Sequence, residues 1–368
     1  MKKRFLGVLL SVAMVAAVLA GCGSSGAKET AAPAGSETEA ASEAASGETE
    51  AAGNTGDVIT VGFSQVGAES DWRTANSESM KSTFSTENGY NLIFGDAQQK
   101  QENQIAAIRN FIQQEVDYIV LAPVTESGWD TVLQEAKDAE IPVIIVDRMV
   151  NVSDDSLYTA WVGSNFKLEG QKACEWLKQY AAAKNMSEVN IVDIQGTIGA
   201  SAQIGRTEAL NEAVEANGWN LLAQQTGEFT QAKGQEVMES LLKQYDNINV
   251  VYCENDNEAF GAIEAIKAAG KTVGPDGDIL VMSFDTTKQG ITDTLSGDII
   301  VNTECNPLHG PRVEQIIKQL QAGETPEKQA YVEEGIYAHG SDVASVSIDG
   351  TDYEVTEVTQ DVVDARAY

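Results

Sequence analysis

The chain has 368 residues, of which 42% are hydrophobic, 22% charged and 7% aromatic, and its formal net charge is −32. That length exceeds one small domain and suits two lobes of ordinary size with additional segments. A surface so negative repels phosphate backbones and anionic lipid heads, which excludes nucleic acid as a partner and argues against an anionic ligand unless arginines dominate its pocket.

The chain opens on Met1-Lys2-Lys3-Arg4, continues in an almost unbroken apolar run over residues 5–20, and closes that run with Leu19-Ala20-Gly21-Cys22. This order reads as a secretory signal over residues 1–21, too short in its apolar part for a comfortable membrane span. Its last four residues resemble the lipobox of bacterial lipoproteins, where the cysteine, here Cys22, is acylated and becomes the first mature residue. A plain signal peptide and a short anchor helix are the alternatives. Loss of Lys2, Lys3 and Arg4 takes the net charge from −32 to −35. Residues 22–56 are almost all Gly, Ala, Ser, Thr, Glu and Pro, a composition that cannot offset the entropy of ordering and reads as a flexible acidic tether. These features place the protein outside the cytoplasm, on the outer face of the cytoplasmic membrane, and attached through its lipid alone.

From residue 57 onward, short β-branched runs alternate with helical patterns. Strands are expected at 58–63, 91–94, 118–121 and 143–146, and in a second series at 190–194, 220–223, 250–252, 279–282 and 299–302. Continuous apolar strands fit a parallel sheet covered by helices on both faces. The helix at 101–114 carries Ile105, Ile108 and Ile112 on one face, and Gly89, Gly218 and Gly270 stand where helices end. Lys100-Gln101-Glu102 and Lys233-Gly234-Gln235-Glu236 each open a helix that leads to a strand, a hint of duplication. The fold class is α/β: two similar lobes, each a parallel sheet flanked by helices, with the ligand expected beyond the carboxyl ends of the strands.

Signatures of catalysis are lacking. The two histidines, His309 and His339, have no metal-ligand spacing, and no nucleophile elbow, phosphate-binding loop or dinucleotide fingerprint occurs. Asp276-Gly277-Asp278 lacks the remaining ligands of a calcium loop and reads as a turn. No catalytic residue, metal or cofactor is expected. Cys174, Cys253 and Cys305 are far apart and odd in number; they read as buried apolar side chains, with a Cys253–Cys305 disulfide left open.

Polar clusters do stand at the predicted strand ends: Glu69-Ser70-Asp71-Trp72-Arg73, Asp147-Arg148, Arg206, Glu254-Asn255-Asp256 and Asp285. This mixture suits a sugar, whose C–H faces need flat rings and whose hydroxyls need donors and acceptors of fixed geometry. An unpaired buried hydroxyl costs about 1–3 kcal/mol, which gives such a pocket its selectivity. Trp72 is the stronger aromatic candidate. Trp129, Trp161, Trp176 and Trp219 sit in apolar patterns and read as packing residues.

The segments Val61-Gly62-Phe63-Ser64-Gln65-Val66-Gly67, 69–73, 98–104, 135–142, 195–201 and 233–240 resemble the galactofuranose-binding components of bacterial ABC importers, within the ribose-type family of periplasmic binding proteins. The similarity spans residue 58 to about 311. It implies a type I periplasmic binding fold with a three-stranded hinge, a first lobe of residues 57–163 plus 305–330 and a second of 164–304 plus 331–368. It implies capture of a neutral monosaccharide, a furanose such as galactofuranose, by a monomer that serves an ABC permease and its ATPase. Matched residue by residue, the ligand contacts are Glu69, Ser70, Asp71, Trp72, Arg73, Asp147, Arg148, Arg206, Asn255 and Asp285. Phe229 matches a position that stacks on sugar in ribose-type relatives, with a core role as the alternative. The alternative for Arg148 and Arg206, behind ligand binding, is a structural ion-pair role with Asp147 and Glu208. Asn165-Phe166 and Cys253-Glu254 depart from the family pattern, and the tail after Gly335 matches poorly. A binding protein reporting to a membrane sensor is the second reading. A glycosidase using Asp147 and Asp285 is the third, disfavoured because neighbouring arginines should lower both carboxyl pKa values.

Overall fold

The computed structural model describes residues 58–368; Cys22, the signal segment and the tether lie outside them. The first part of the chain alternates strand and helix: β1 (Ile59–Gln65), α1 (Asp71–Thr83), β2 (Tyr90–Asp96), α2 (Gln101–Gln113), β3 (Tyr118–Leu121), α3 (Asp130–Asp138), β4 (Val143–Val146) and β5 (Ala160–Gly163). The second part repeats the pattern with α4 (Phe166–Ala183), β6 (Asn190–Gln195), α5 (Ser201–Asn217), β7 (Asn220–Thr226), α6 (Gln231–Gln244), β8 (Val250–Cys253), α7 (Asp256–Ala268), β9 (Leu280–Asp285), α8 (Lys288–Ser296) and β10 (Val301–Glu304). The tail adds α9 (Gly310–Gln321), β11 (Gln329–Tyr331), β12 (Ile336–Ala338), β13 (Ser345–Ile348), β14 (Thr351–Glu357) and α10 (Gln360–Ala365).

The strands form two sheets, in the orders β11-β5-β4-β3-β1-β2 and β13-β14-β12-β10-β9-β8-β6-β7. The first is parallel throughout. The second is parallel from β7 to β10, after which β12 runs antiparallel to β10. Because successive side chains of a strand point to opposite faces, Ile144 and Ile145 of β4 enter different apolar clusters, one on each side of the first sheet. The second sheet likewise carries a cluster on each face, with Val250 in one and Val251 in the other. Burial on both faces is why these strands read as unbroken apolar runs.

The chain passes between the sheets after Gly163, after Glu304 and after Tyr331. The third passage falls beyond Ala330, because Tyr331 still pairs with Gly163 of the first sheet. Gly218 caps α5 in the left-handed region at φ 66°, while Gly270 follows α7 by two residues at φ 78°. Gly89 closes a short 3-10 turn rather than a long helix. Sequence reasoning missed β5 and all four tail strands. The β13–β14 hairpin carried a usable signal: its two-residue loop is Asp349-Gly350, with both residues at positive φ, as a type I′ turn requires.

Candidate functional site

The carboxyl ends of β1, β4, β7, β8 and β9 converge on a narrow cavity between the sheets. It is lined by Glu69, Ser70, Trp72, Arg73, Asp147 and Arg148 from the first lobe, and by Phe166, Ala202, Arg206, Phe229, Asn255 and Asp285 from the second, with Cys305 from a crossing segment. Ten of the eleven residues picked from the sequence therefore meet in one place. The exception is Asp71, which is exposed and outside the lining. Phe166 and Ala202, at helix starts, and Cys305, just after β10, were missed, for apolar residues there carry no polar signature in sequence.

Local backbone structure sets the positions. Ser70 caps α1, its Oγ accepting from the Arg73 amide at 3.1 Å. Asn255 caps α7 through the Glu258 amide at 2.8 Å. Its Nδ2 donates to the Phe229 carbonyl at 3.1 Å, so part of its hydrogen-bonding capacity is spent within the protein. Of the eleven described non-glycine residues with positive φ, Asp147 (62°), Phe229 (60°) and Asp285 (96°) line the cavity. Such conformations cost on the order of 1–3 kcal/mol each and concentrate at binding sites.

The three arginines are unequal. Arg73 donates through Nε to Glu69 Oε1 at 3.0 Å, pairs through Nη2 with Asp147 Oδ2 at 2.8 Å, reaches Gln65 through Nη1, and lies 4.6 Å from the Trp72 ring centroid. Arg206 holds Glu169 through Nε and Nη2 at 2.8 and 2.7 Å, donates to the Glu254 carbonyl, and reaches Asp285 at 3.3 Å. Arg148 is more loosely tied. Its one close bond is Nη1 to the Val124 carbonyl at 3.0 Å; Glu69 and Asp147 stand at 3.7 and 3.9 Å, and its guanidinium lies 5.0 Å from the Phe229 ring centroid. Burial and the Arg73 charge push Arg148 down to about 10, still cationic at neutral pH. The suggested Arg206–Glu208 pair does not form, because Glu208 bonds Lys167 on the surface.

The two carboxyls once weighed as a hydrolytic pair differ. Burial opposes ionisation of Asp147, yet the Arg73 and Arg148 guanidiniums hold it below the usual range. Asp285 goes the other way: burial raises it well above that range despite Arg206. The expectation that arginines lower both fails at Asp285, because burial outweighs the Arg206 charge and the neighbouring Asp256, Glu169 and Asp147 carboxyls add repulsion.

Both aromatic candidates are buried. Trp72 Nε1 donates to the Cys305 carbonyl at 2.7 Å, tying α1 to a crossing segment. The tip of the Phe229 ring abuts Gly196, where an added Cβ would stand 1.9 Å from Cζ. It thus packs and lines the cavity at once. Trp129, Trp161 and Trp176 are core residues. Cys174, Cys253 and Cys305 are free and buried, with no disulfide among them. Glu169, Cys305 and Glu334 bring possible metal-ligand atoms within 4.8 Å of one another. Arg206 and Lys172 already supply cations there, and the Ser164 hydroxyl fills the gap by contacting both Cys305 and Glu334.

Residues 61–303 match the Periplasmic binding protein domain family. The galactofuranose-binding protein of Escherichia coli (strain K12) is 42% identical over 284 residues, 76% of this chain and 87% of that protein. A solved structure from Mycobacterium smegmatis in complex with β-D-fucofuranose superposes with a TM-score of 0.73 at 43% identity, covering 76% of this chain and 91% of its own. The periplasmic binding component of the arabinose ABC transporter from Shewanella sp. ANA-3, bound to α- and β-L-arabinofuranose, gives 0.71 at 42% identity, covering 76% and 92%.

Proposed function

The chain belongs to the periplasmic binding protein domain family, and from that premise we propose that it captures one neutral monosaccharide in five-membered ring form and delivers it to an ABC permease. The family is one of binding proteins, not enzymes. The observation that carries the ligand class is the charge balance of the cavity. Arg73 and Arg148 face Glu69 and Asp147, and Arg206 is paired with Glu169 beside Asp285, so no surplus positive charge is left to hold a phosphate or carboxylate. An anion would also have to approach a strongly negative protein, against the field.

Within this reading Arg148 is the principal donor to sugar hydroxyls, because its guanidinium is the least committed of the three. Asp147, Asp285 and Asn255 accept or donate around the ring, and Trp72 and Phe229 offer apolar faces. Glu69, Ser70, Arg73 and Arg206 frame the site. The three passages between the sheets restrict motion to a hinge, which lets the lobes close on the ligand. The furanose preference rests on the ligands named for the relatives. Cys22 supplies the lipid anchor on the outer face of the membrane, and the protein works as a monomer.

A thermal-shift screen tests the ligand class. A ligand with micromolar affinity corresponds to about −8 kcal/mol, and at a hundredfold excess over its Kd it stabilises the folded protein by about 2.7 kcal/mol. Galactofuranose, arabinose and ribose should raise the melting temperature. A shift confined to a sugar phosphate or a long oligosaccharide would overturn the reading.

A further inference from the structure

Among the described residues, three hydrogen bonds join the lobes away from the crossing segments, and none of the residues involved lines the cavity. The Asp71 amide donates to Asn257 Oδ1 at 3.0 Å, the Met149 amide to Ser201 Oγ at 2.9 Å, and the Glu126 amide to the Gly199 carbonyl at 2.9 Å. In each the first lobe supplies a backbone N–H and the second supplies the acceptor. Asp71 is the first residue of α1, whose opening amides have no partner within the helix; Asn257 caps that helix from the other lobe. Two of the bonds lie beside cavity residues in sequence: Asp71 precedes Trp72, while Met149 follows Arg148 and its acceptor Ser201 precedes Ala202.

These bonds act on one conformation only. When the lobes part, the three amides turn to water and lose nothing. In the closed form, an amide deprived of its acceptor is left without a partner at the lobe interface, an unfavourable state. Ser201 and Asn257, both 8% exposed, therefore bear on the closing equilibrium and leave the open form unaffected. The apparent affinity of a ligand that needs the closed form varies inversely with the population of that form.

We infer that Ser201 and Asn257 are positioning residues that set the affinity of the site through lobe closure, without touching the ligand. This rests on the reading that the sugar is held in the closed cavity. Because neither side chain meets the sugar, the penalty for removing it is the same for every sugar.

The test compares wild type, Ser201→Ala, Ser201→Thr and Asn257→Ala by calorimetric titration with D-galactose, D-fucose and L-arabinose, alongside amide exchange of Asp71 and Met149 in the ligand-free protein. Ser201→Ala and Asn257→Ala should each weaken binding about tenfold, by one factor for all three sugars, and Ser201→Thr should restore it. Exchange should quicken at Met149 in Ser201→Ala and at Asp71 in Asn257→Ala. Unchanged affinity, or a factor that differs from sugar to sugar, overturns the inference. If wild type binds none of the sugars, the sugar reading fails and exchange alone decides: unaltered protection of both amides in the variants overturns the latch, and faster exchange supports it.

Discussion

Arg148 and Arg206 look alike in sequence and serve differently in the fold. Arg148→Ala and Asp285→Ala should each weaken sugar binding by about 2 kcal/mol, since each strands a hydroxyl in a desolvated site, with little loss of folding stability. Calorimetry beside a melting curve separates the two effects. Arg206→Ala should unsettle the fold itself. It leaves the Glu169 carboxyl, 2% exposed, without its cation, and breaking a buried pair costs about 3–5 kcal/mol; the check is a denaturant midpoint. Asp193 gives a pH signature. It is fully buried, accepts from Gln224 through Oδ2, and has no partner at Oδ1. Burial pushes its pKa up to about 7. The protonated form is thus favoured by folding, so its stabilising effect is present below the ordinary carboxylate range near 4 and is lost as pH rises through about 7. Asp193→Asn should lose less stability than wild type between those limits, measured by urea unfolding at a series of pH values.

At the level of elements, α6 and α7 meet through glycines. A Cβ on Gly261 would stand 2.2 Å from the Gln231 carbonyl, and one on Gly234 would stand 2.8 Å from the Glu258 backbone. Neither clash can be relieved by a rotamer change, because backbone stands opposite. Gly261→Ala should therefore force the helices apart and cost about 1–3 kcal/mol, visible as a lower melting temperature. The same geometry explains what the sequence could and could not tell. Strands such as Tyr118–Leu121 and Val143–Val146 were legible to the residue because burial on both faces leaves an unbroken apolar run. β11 was not, since Gln329 and Tyr331 are exposed at a sheet edge. The site was legible where it is polar, because charges at strand ends are conspicuous. The left-handed backbone at Asp147, Phe229 and Asp285 was not, because no residue there is glycine. Asp71 falls outside the lining for a related reason: on a helix, a residue's neighbours in sequence point elsewhere,.

For the molecule as a whole, attachment and architecture are separable. Cys22→Ser removes the thiol needed for a thioether, so the variant should leave the membrane fraction while keeping its melting temperature; a variant that still fractionates wholly with membranes would disprove the lipid anchor. The three described cysteines lead to one more consequence. All are free, yet they sit at different depths: Cys305 on a crossing segment at the cavity, and Cys174 and Cys253 in opposite clusters of the second lobe. Burial raises each thiol well above its ordinary pKa, so none reacts while covered. A thiol-specific reagent then acts as a clock with two hands. Modification of Cys305 counts the moments when the lobes gape, and modification of Cys253 counts the rarer moments when a lobe comes apart. A bound sugar should slow the first hand directly, and the second only as far as it stabilises the whole fold.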